Sequence, residues 1–279
     1  MRYCGREFTE KEVDLIARLI GTGVNRQRIA RTFCEETNWR KPDGDLKEMS
    51  CKVAFLRMHR DGHIILPPPT KPANNHLKKP TPTLFAGPRS EVITSAGECA
   101  IEIAGRSTSA LWNEYIDRYH YLGYTPLPGA QMRYFVKSDN EVLALLGFGA
   151  AAWKCAPRDE SIGWDHETRK RNLHLVVNNA RFLILPWVQS KNLASRILSL
   201  CAKRITSDWY ERYHYKPVLM ETFVEKERFA GTCYKASNWT RVGDTKGRGK
   251  LDIRHEHKAP VKSVWLYPLR KDFREWLRS

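Results

Sequence analysis

Apolar positions in the first 66 residues recur at helical spacing. Thr9 and Glu12 form the Thr-x-x-Glu pattern of a capping box, in which each residue satisfies a free amide of the first turn. Val13, Ile16 and Leu19–Ile20 then make one stripe, and Gly21 and Gly23 stop it. Asn25 caps a second helix carrying Ile29 and Phe33. Asp45 is expected to cap a third, with Leu46, Met49, Val53 and Leu56 facing inward; Gly62 ends it and HIILPPP leaves as a short strand. Residues 67–92 lose the periodicity and become Pro-rich, which reads as a semi-extended linker.

From residue 93 onward the pattern alternates between strand and helix. Residues 99–104 form a first strand, Ser107–Tyr121 a helix, and Gln131–Lys137 and Val142–Ala151 a hairpin turning at Asp139-Asn140. A helix follows over 163–176. ARFLIL, at Ala180–Leu185, is apolar without alternation, as in a strand covered on both faces. Leu193–Tyr213 is a long helix, Val218–Val224 a strand and Phe229–Ser237 a short helix that packs Phe229 and Tyr234 on the sheet. Strands at Thr240–Asp244 and Ser263–Leu269 complete a mixed α/β (α+β) sheet. The expected organisation is thus 1–66, a helical unit; 67–92, a linker; and 93–279, an α/β domain.

Composition adds a partner class. The 279 residues carry 47 Lys+Arg against 31 Asp+Glu, a net charge of +16, which favours a polyanion, most simply nucleic acid, with DNA ahead of RNA. The excess is densest at 241–279, with 11 basic against 5 acidic residues. No apolar run is long enough to span a membrane, and MRYCGREFTEKEVD is too polar for a signal peptide, so a cytoplasmic protein is expected. Seven cysteines without a Cys-x-x-Cys pair point to reduced thiols and to neither a zinc site nor a disulfide frame. No cofactor is expected.

Candidate chemistry follows from placement. The first three helices resemble a helix-turn-helix or winged-helix module, whose third helix would offer Lys47, Lys52, Arg57 and Arg60 to phosphates; a small protein-binding helical unit is the alternative. In 229–249, FAGTCYKASNWTRVGDTKGRG, two aromatics precede a loop with no apolar anchor. Its glycines permit close backbone approach to phosphates, and Lys246, Arg248, Lys250 and, further on, Arg254 supply charge. Glu221 sits in a strand near the sheet centre, a costly place for a carboxylate unless it is paired or faces a cleft; it is a candidate acid/base or metal ligand, or the partner of a core arginine. His120 is a candidate base, or a helix C-cap. Arg158-Asp159 either lines the cleft, where it could position a phosphate or a base and Asp159 could join Glu221 in a carboxylate pair, or is a loop ion pair; Arg181 points into the cleft or is an exposed strand-start residue; Lys191 is a candidate to supply charge for a phosphate ahead of the long helix.

The order β–α–β–β–α–β–α–β–α–β–β over roughly 99–269 resembles the GNAT acyltransferase fold. ARFLILPWV running into Gln189–Ala194 occupies the place of that fold's coenzyme A pyrophosphate loop, although Asn192 stands where the fold uses glycine; Tyr234-Lys-Ala-Ser-Asn238-Trp239 occupies the place of Tyr-x-x-x-Gly-Phe, where the resemblance implies a general acid at Tyr234. Over nearly the whole chain, Trp112–Gly123, Arg158-Asp159 with Ile162-Gly163-Trp164, Asn178-Asn179-x-Arg181-Phe182-Leu183, Asn192–Ser195, Glu221–Val224, Gly231–Tyr234, Asn238-Trp239 and Gly243–Gly249 resemble the DruA family of the Druantia anti-phage system. That resemblance implies a nucleic-acid-directed defence role in a prokaryote, alongside other defence proteins. Two rivals stand beside it: a GNAT-like enzyme modifying nucleic acid or a bound protein, and a transposon-derived DNA-end binder without catalysis.

Overall fold

A computed structural model describes residues 1–70, 87–247 and 259–279. The chain divides into two compact units, Met1–Lys78 and Lys79–Ser279.

The first unit opens with a hairpin, β1 (Arg2–Tyr3) and β2 (Arg6–Glu7), turning at Cys4-Gly5, both with positive φ. Three helices follow: α1 (Glu10–Gly21), α2 (Arg26–Glu36) and α3 (Glu48–Arg60). The capping box at α1 is complete, with Thr9 N–H donating to Glu12 and Glu12 N–H donating to Thr9 Oγ1, and Asn25 caps α2. Two expectations are corrected. Asp45 does not cap α3; the helix starts after Lys47, and the Asp45 carboxylate accepts from Lys41 Nζ at 3.0 Å. The inward stripe of α3 is Cys51, Ala54, Phe55 and Met58, whereas Met49 is 70% exposed and Val53 is also on the surface. Both stripes are apolar, but only the first brings an aromatic ring against Phe33, edge-on at 5.2 Å. HIILPPP forms no ladder among the described residues. Ile64 and Leu66 alternate into the core without a pairing strand.

In the second unit β3 (Ala100–Ile103), α4 (Ser109–Tyr119), β4 (Gln131–Ser138) and β5 (Glu141–Ala150) come first. The hairpin turns at Asp139-Asn140, both at positive φ, as the sequence predicts. An unanticipated helix, α5 (Ala156–Ile162), comes first, and the helix expected over 163–176 is the shorter α6 (His166–Asn172) followed by a 3-10 turn at Leu173–Leu175. Gly163 at φ +77° ends the first and Asp165 caps the second. Then come β6 (Val176–Ile184), α7 (Leu193–Tyr213), β7 (Leu219–Glu225), α8 (Thr232–Ala236), β8 (Thr240–Asp244), β9 (Lys262–Pro268) and an unanticipated α9 (Phe273–Arg278).

The seven strands form one mixed sheet, ordered β3-β4-β5-β6-β7-β9-β8. All neighbours are antiparallel except β6 and β7, which run parallel. Trp112 and Ile116 of α4 and Ile197, Cys201 and Trp209 of α7 are buried in the sheet's main core. Gly147 sits in a tight place: a Cβ there would lie 3.1 Å from the Trp112 ring and 3.3 Å from Arg181 Cβ, so those neighbours would have to give by a few tenths of an ångström. Opposite it β6 bulges at Ala180, since Gly147 faces Arg181 while Phe148 faces Asn179.

Candidate functional site

The parallel pair that joins the two halves of the sheet is short. β6 and β7 are in register from Val176↔Leu219 to Asn178↔Glu221 and share no further pairs, although both strands continue. A parallel pair is free to diverge once side chains take over from the ladder, and here they do. Thr222 Oγ1 donates to the Asn179 carbonyl at 3.0 Å, and Tyr234 from α8 donates its hydroxyl to Asn179 Oδ1 at 2.9 Å. Beyond this knot lies a cleft of about 1800 Å³, walled by 178–184 of β6 and 222–224 of β7 and by the segments 119–122, 149–157, 228–234 and 244–246.

Under one wall lies a closed network of charge. Glu221 and Arg158 are both 0% exposed. Arg158 Nη1 donates to Glu221 Oε2 at 2.8 Å and to the Ala152 carbonyl at 2.7 Å; the Ala152 N–H donates to Glu221 Oε1 at 2.7 Å. Arg158 Nε and Nη2 both reach Asp159 Oδ1, which also accepts from Trp164 Nε1, while Asp159 Oδ2 accepts from Arg169 Nη1 and the Cys155 N–H. Burial drives the Glu221 carboxyl upward against the pull of Arg158. Burial also opposes the Arg158 charge, but Glu221 and Asp159 outweigh it and hold the guanidinium protonated. Three expectations are therefore corrected. Arg158 has no surface left for a phosphate. Glu221 is the partner of a core arginine and not a cleft-facing acid. Asp159 spends both oxygens inside the same network. What the network does is fix Ala152 at both its amide and its carbonyl, and so place the residues that follow, Trp153 and Lys154, at the cleft.

The other candidates fall into four groups. His120, Tyr234, Arg181 and Lys246 line the cleft. His120 caps α4; its Nδ1 accepts from the Leu122 N–H at 3.2 Å, which leaves the neutral ring's proton on Nε2. Burial, helped by nearby Arg181, lowers its pKa to about 4, so it is neutral at neutral pH. Burial keeps the Tyr234 phenol protonated, with its proton directed to Asn179. Arg181 donates to its neighbour's carbonyl and to Thr125, and burial lowers its pKa; its Nε and the Asn178 Oδ1 are buried without a hydrogen-bond partner. Lys191 sits on the surface ahead of α7 and does not line the cleft. Lys47, Lys52 and Arg57 belong to the first unit, where Lys52 approaches Glu48 at 3.9 Å and Arg57 is exposed. Arg248, Lys250 and Arg254 lie outside the described residues.

Four cleft residues escaped the sequence reading: Trp153, Lys154, Arg228 and Lys262. Phe229 was expected to pack on the sheet; it is 49% exposed because Gly231, in the left-handed region at φ +73°, delays the start of α8. A usable signal was present for all of these but Lys262, an aromatic directly beside a cation: Trp153-Lys154 and Arg228-Phe229. Among the described lining residues Lys154, Arg181, Arg228, Lys246 and Lys262 face only two carboxylates, Glu160 and Asp244. Asp244 is already held by Lys226 and Arg241, and Arg228 pairs with Glu225 at 2.8 Å. Lys154, Lys246 and Lys262 form no ion pair among the described residues. No group of three or more His, Cys, Asp or Glu there is placed to hold a metal ion.

The profile of one family, described as Druantia protein DruA, matches residues 70–257, well over half of the chain. No curated protein matches. Among solved structures, the aminoglycoside acetyltransferase AAC(6')-Ib in complex with coenzyme A is similar at TM-score 0.42 and 12% identity, over 64% of this chain and 98% of that one. An acetyltransferase of the GNAT family from Streptococcus pneumoniae gives 0.40 and 11%, over 61% and 99%. The ribosomal-protein-S18-alanine N-acetyltransferase from Escherichia coli gives 0.37 and 7%, over 62% and 94%. The strand order set out above, and not a likeness of this size, fixes the fold class. No helix among the described residues is long and apolar enough to cross a membrane.

Proposed function

The chain belongs to the Druantia DruA family of anti-phage defence components, and from that premise we propose that its own part in the defence is to bind nucleic acid in the cleft of the second unit. The observation that carries this reading is the set of cleft cations without acidic partners: Lys154, Lys246 and Lys262, with Arg181 on the β6 wall. Cations grouped without carboxylates repel one another, and the grouping is useful when a polyanion arrives. The net charge of +16 and the run of Arg248, Lys250 and Arg254 in the sequence beyond Lys246 extend the same preference. Tyr234 and His120 serve as uncharged wall in this reading. In the first unit, α3 offers Arg57 and Arg60 beside exposed Met49 and Val53, a mixture suited to phosphates and thymine methyls, as a second contact to duplex DNA.

Titration of a labelled oligonucleotide against salt tests the reading. Affinity is expected to fall steeply as salt rises, because each phosphate neutralised releases counterions. Affinity that ignores salt, or no binding at low salt, would overturn it.

A further inference from the structure

The cleft carries more exposed aromatic surface than a phosphate groove needs. Trp153 is 55% exposed and Phe229 nearly as much, and both line it. Leaving such rings in water forgoes the burial that usually justifies them. Neither is loose. Trp153 follows Ala152, whose N–H and carbonyl are tied to the buried Glu221 and Arg158. Phe229 leans on Tyr121 with ring centroids 5.4 Å apart; His120 stacks on Tyr121 at 4.8 Å, and the Arg228 guanidinium lies 5.2 Å from the same ring. Each platform has a cation beside it in the chain, Lys154 next to Trp153 and Arg228 next to Phe229.

We infer that the cleft takes unpaired nucleobases: a single strand whose bases stack on Trp153 and Phe229 while its phosphates meet Lys154, Lys246 and Lys262, unpaired among the described residues. The inference rests on the nucleic-acid reading above and narrows it. A duplex hides the faces of its bases and offers such rings nothing; a single strand exposes a π-face at every base, and stacking then adds affinity in a sequence-tolerant way.

The test compares three labelled probes on the full chain: a thymidine single strand, that strand annealed to its complement, and an abasic strand of equal length. The abasic strand keeps the phosphates and removes the rings. Binding to the thymidine strand is expected to exceed binding to the abasic strand by about fivefold to hundredfold. Trp153→Ala and Phe229→Ala are each expected to bring the thymidine strand down towards the abasic value and to leave duplex binding unchanged. Trp153→Phe and Phe229→Tyr are expected to keep the difference. Both positions are exposed, so melting temperatures should hold and report folding. Equal affinity for thymidine and abasic strands, with a steep salt dependence for both, would overturn the inference and leave the nucleic-acid reading standing. Failure of all three probes to bind at low salt would overturn both.

Discussion

Two clusters of charge stand one helical turn apart in sequence, and they are opposites. Arg158 is sealed in the protein and has spent its donors on Glu221, Asp159 and Ala152. Lys154 lines the cleft with Lys246 and Lys262 and forms no ion pair among the described residues. From the sequence the two look alike, basic residues around a strand end. The lesson is that a cation's role is set by whether its acids came with it. A satisfied buried pair is architecture, because removing either partner strands the other's charge in a medium that solvates it poorly. Unsatisfied cations on an open wall are a standing offer to an outside anion.

The contrast can be tested by breaking it, beginning where the effect is greatest. Arg158→Ala leaves Glu221 buried without its counter-ion and should cost about 3–5 kcal/mol of stability, read as a fall in the urea midpoint. Replacing both partners with leucine should recover much of that loss, since no charge is then stranded. If Arg158→Ala were as stable as the parent, the network would not be the anchor of the 152–154 segment.

His120 gives a smaller, pH-dependent effect. Its folded pKa is lowered to about 4 from an ordinary value of 6.5, so the unfolded chain takes up this proton first as pH falls. Stability should therefore be unaffected by this group above pH 6.5 and decline between pH 6.5 and 4, by less than the ~1.4 kcal/mol per pH unit of a fully buried single site. His120→Gln should flatten that part of the profile. An unchanged slope would mean that His120 does not stay neutral in the folded protein.

Lys154→Ala, Lys246→Ala and Lys262→Ala mark the other end of the comparison. Each should alter stability by no more than about 0.5 kcal/mol, since Lys154 and Lys246 are exposed, Lys262 is half-buried, and none of the three holds an ion pair among the described residues that would be broken. Each should nevertheless reduce the salt slope of oligonucleotide binding by about 0.7 to 0.9 for each phosphate contact removed. A large stability loss with an unchanged slope would make these lysines structural after all.

Much of the fold was legible because its signals are local. Thr9 and Glu12 are three residues apart, Asp139-Asn140 can make only a tight turn, and Leu193–Tyr213 is a continuous helical stripe that the structure reproduces end for end. The order of elements, and with it the mixed α/β class, follows from periodicity. The inward face of α3 could not be read this way, since two apolar stripes compete on it and the choice depends on Phe33 of another helix. The cleft was legible only in outline. Charge density near the C-terminus pointed to a polyanion, but the sequence reading placed Arg158, Glu221 and Asp159 in the cleft and Phe229 under the sheet. Arg158 and Glu221 are 63 residues apart, and no propensity or spacing records that they meet. The sequence by itself determined most of the elements, their order and the sign of the charge. Only the tertiary structure decided which charges cancel and which rings stay in water, because pairing and burial depend on distances between segments far apart along the chain.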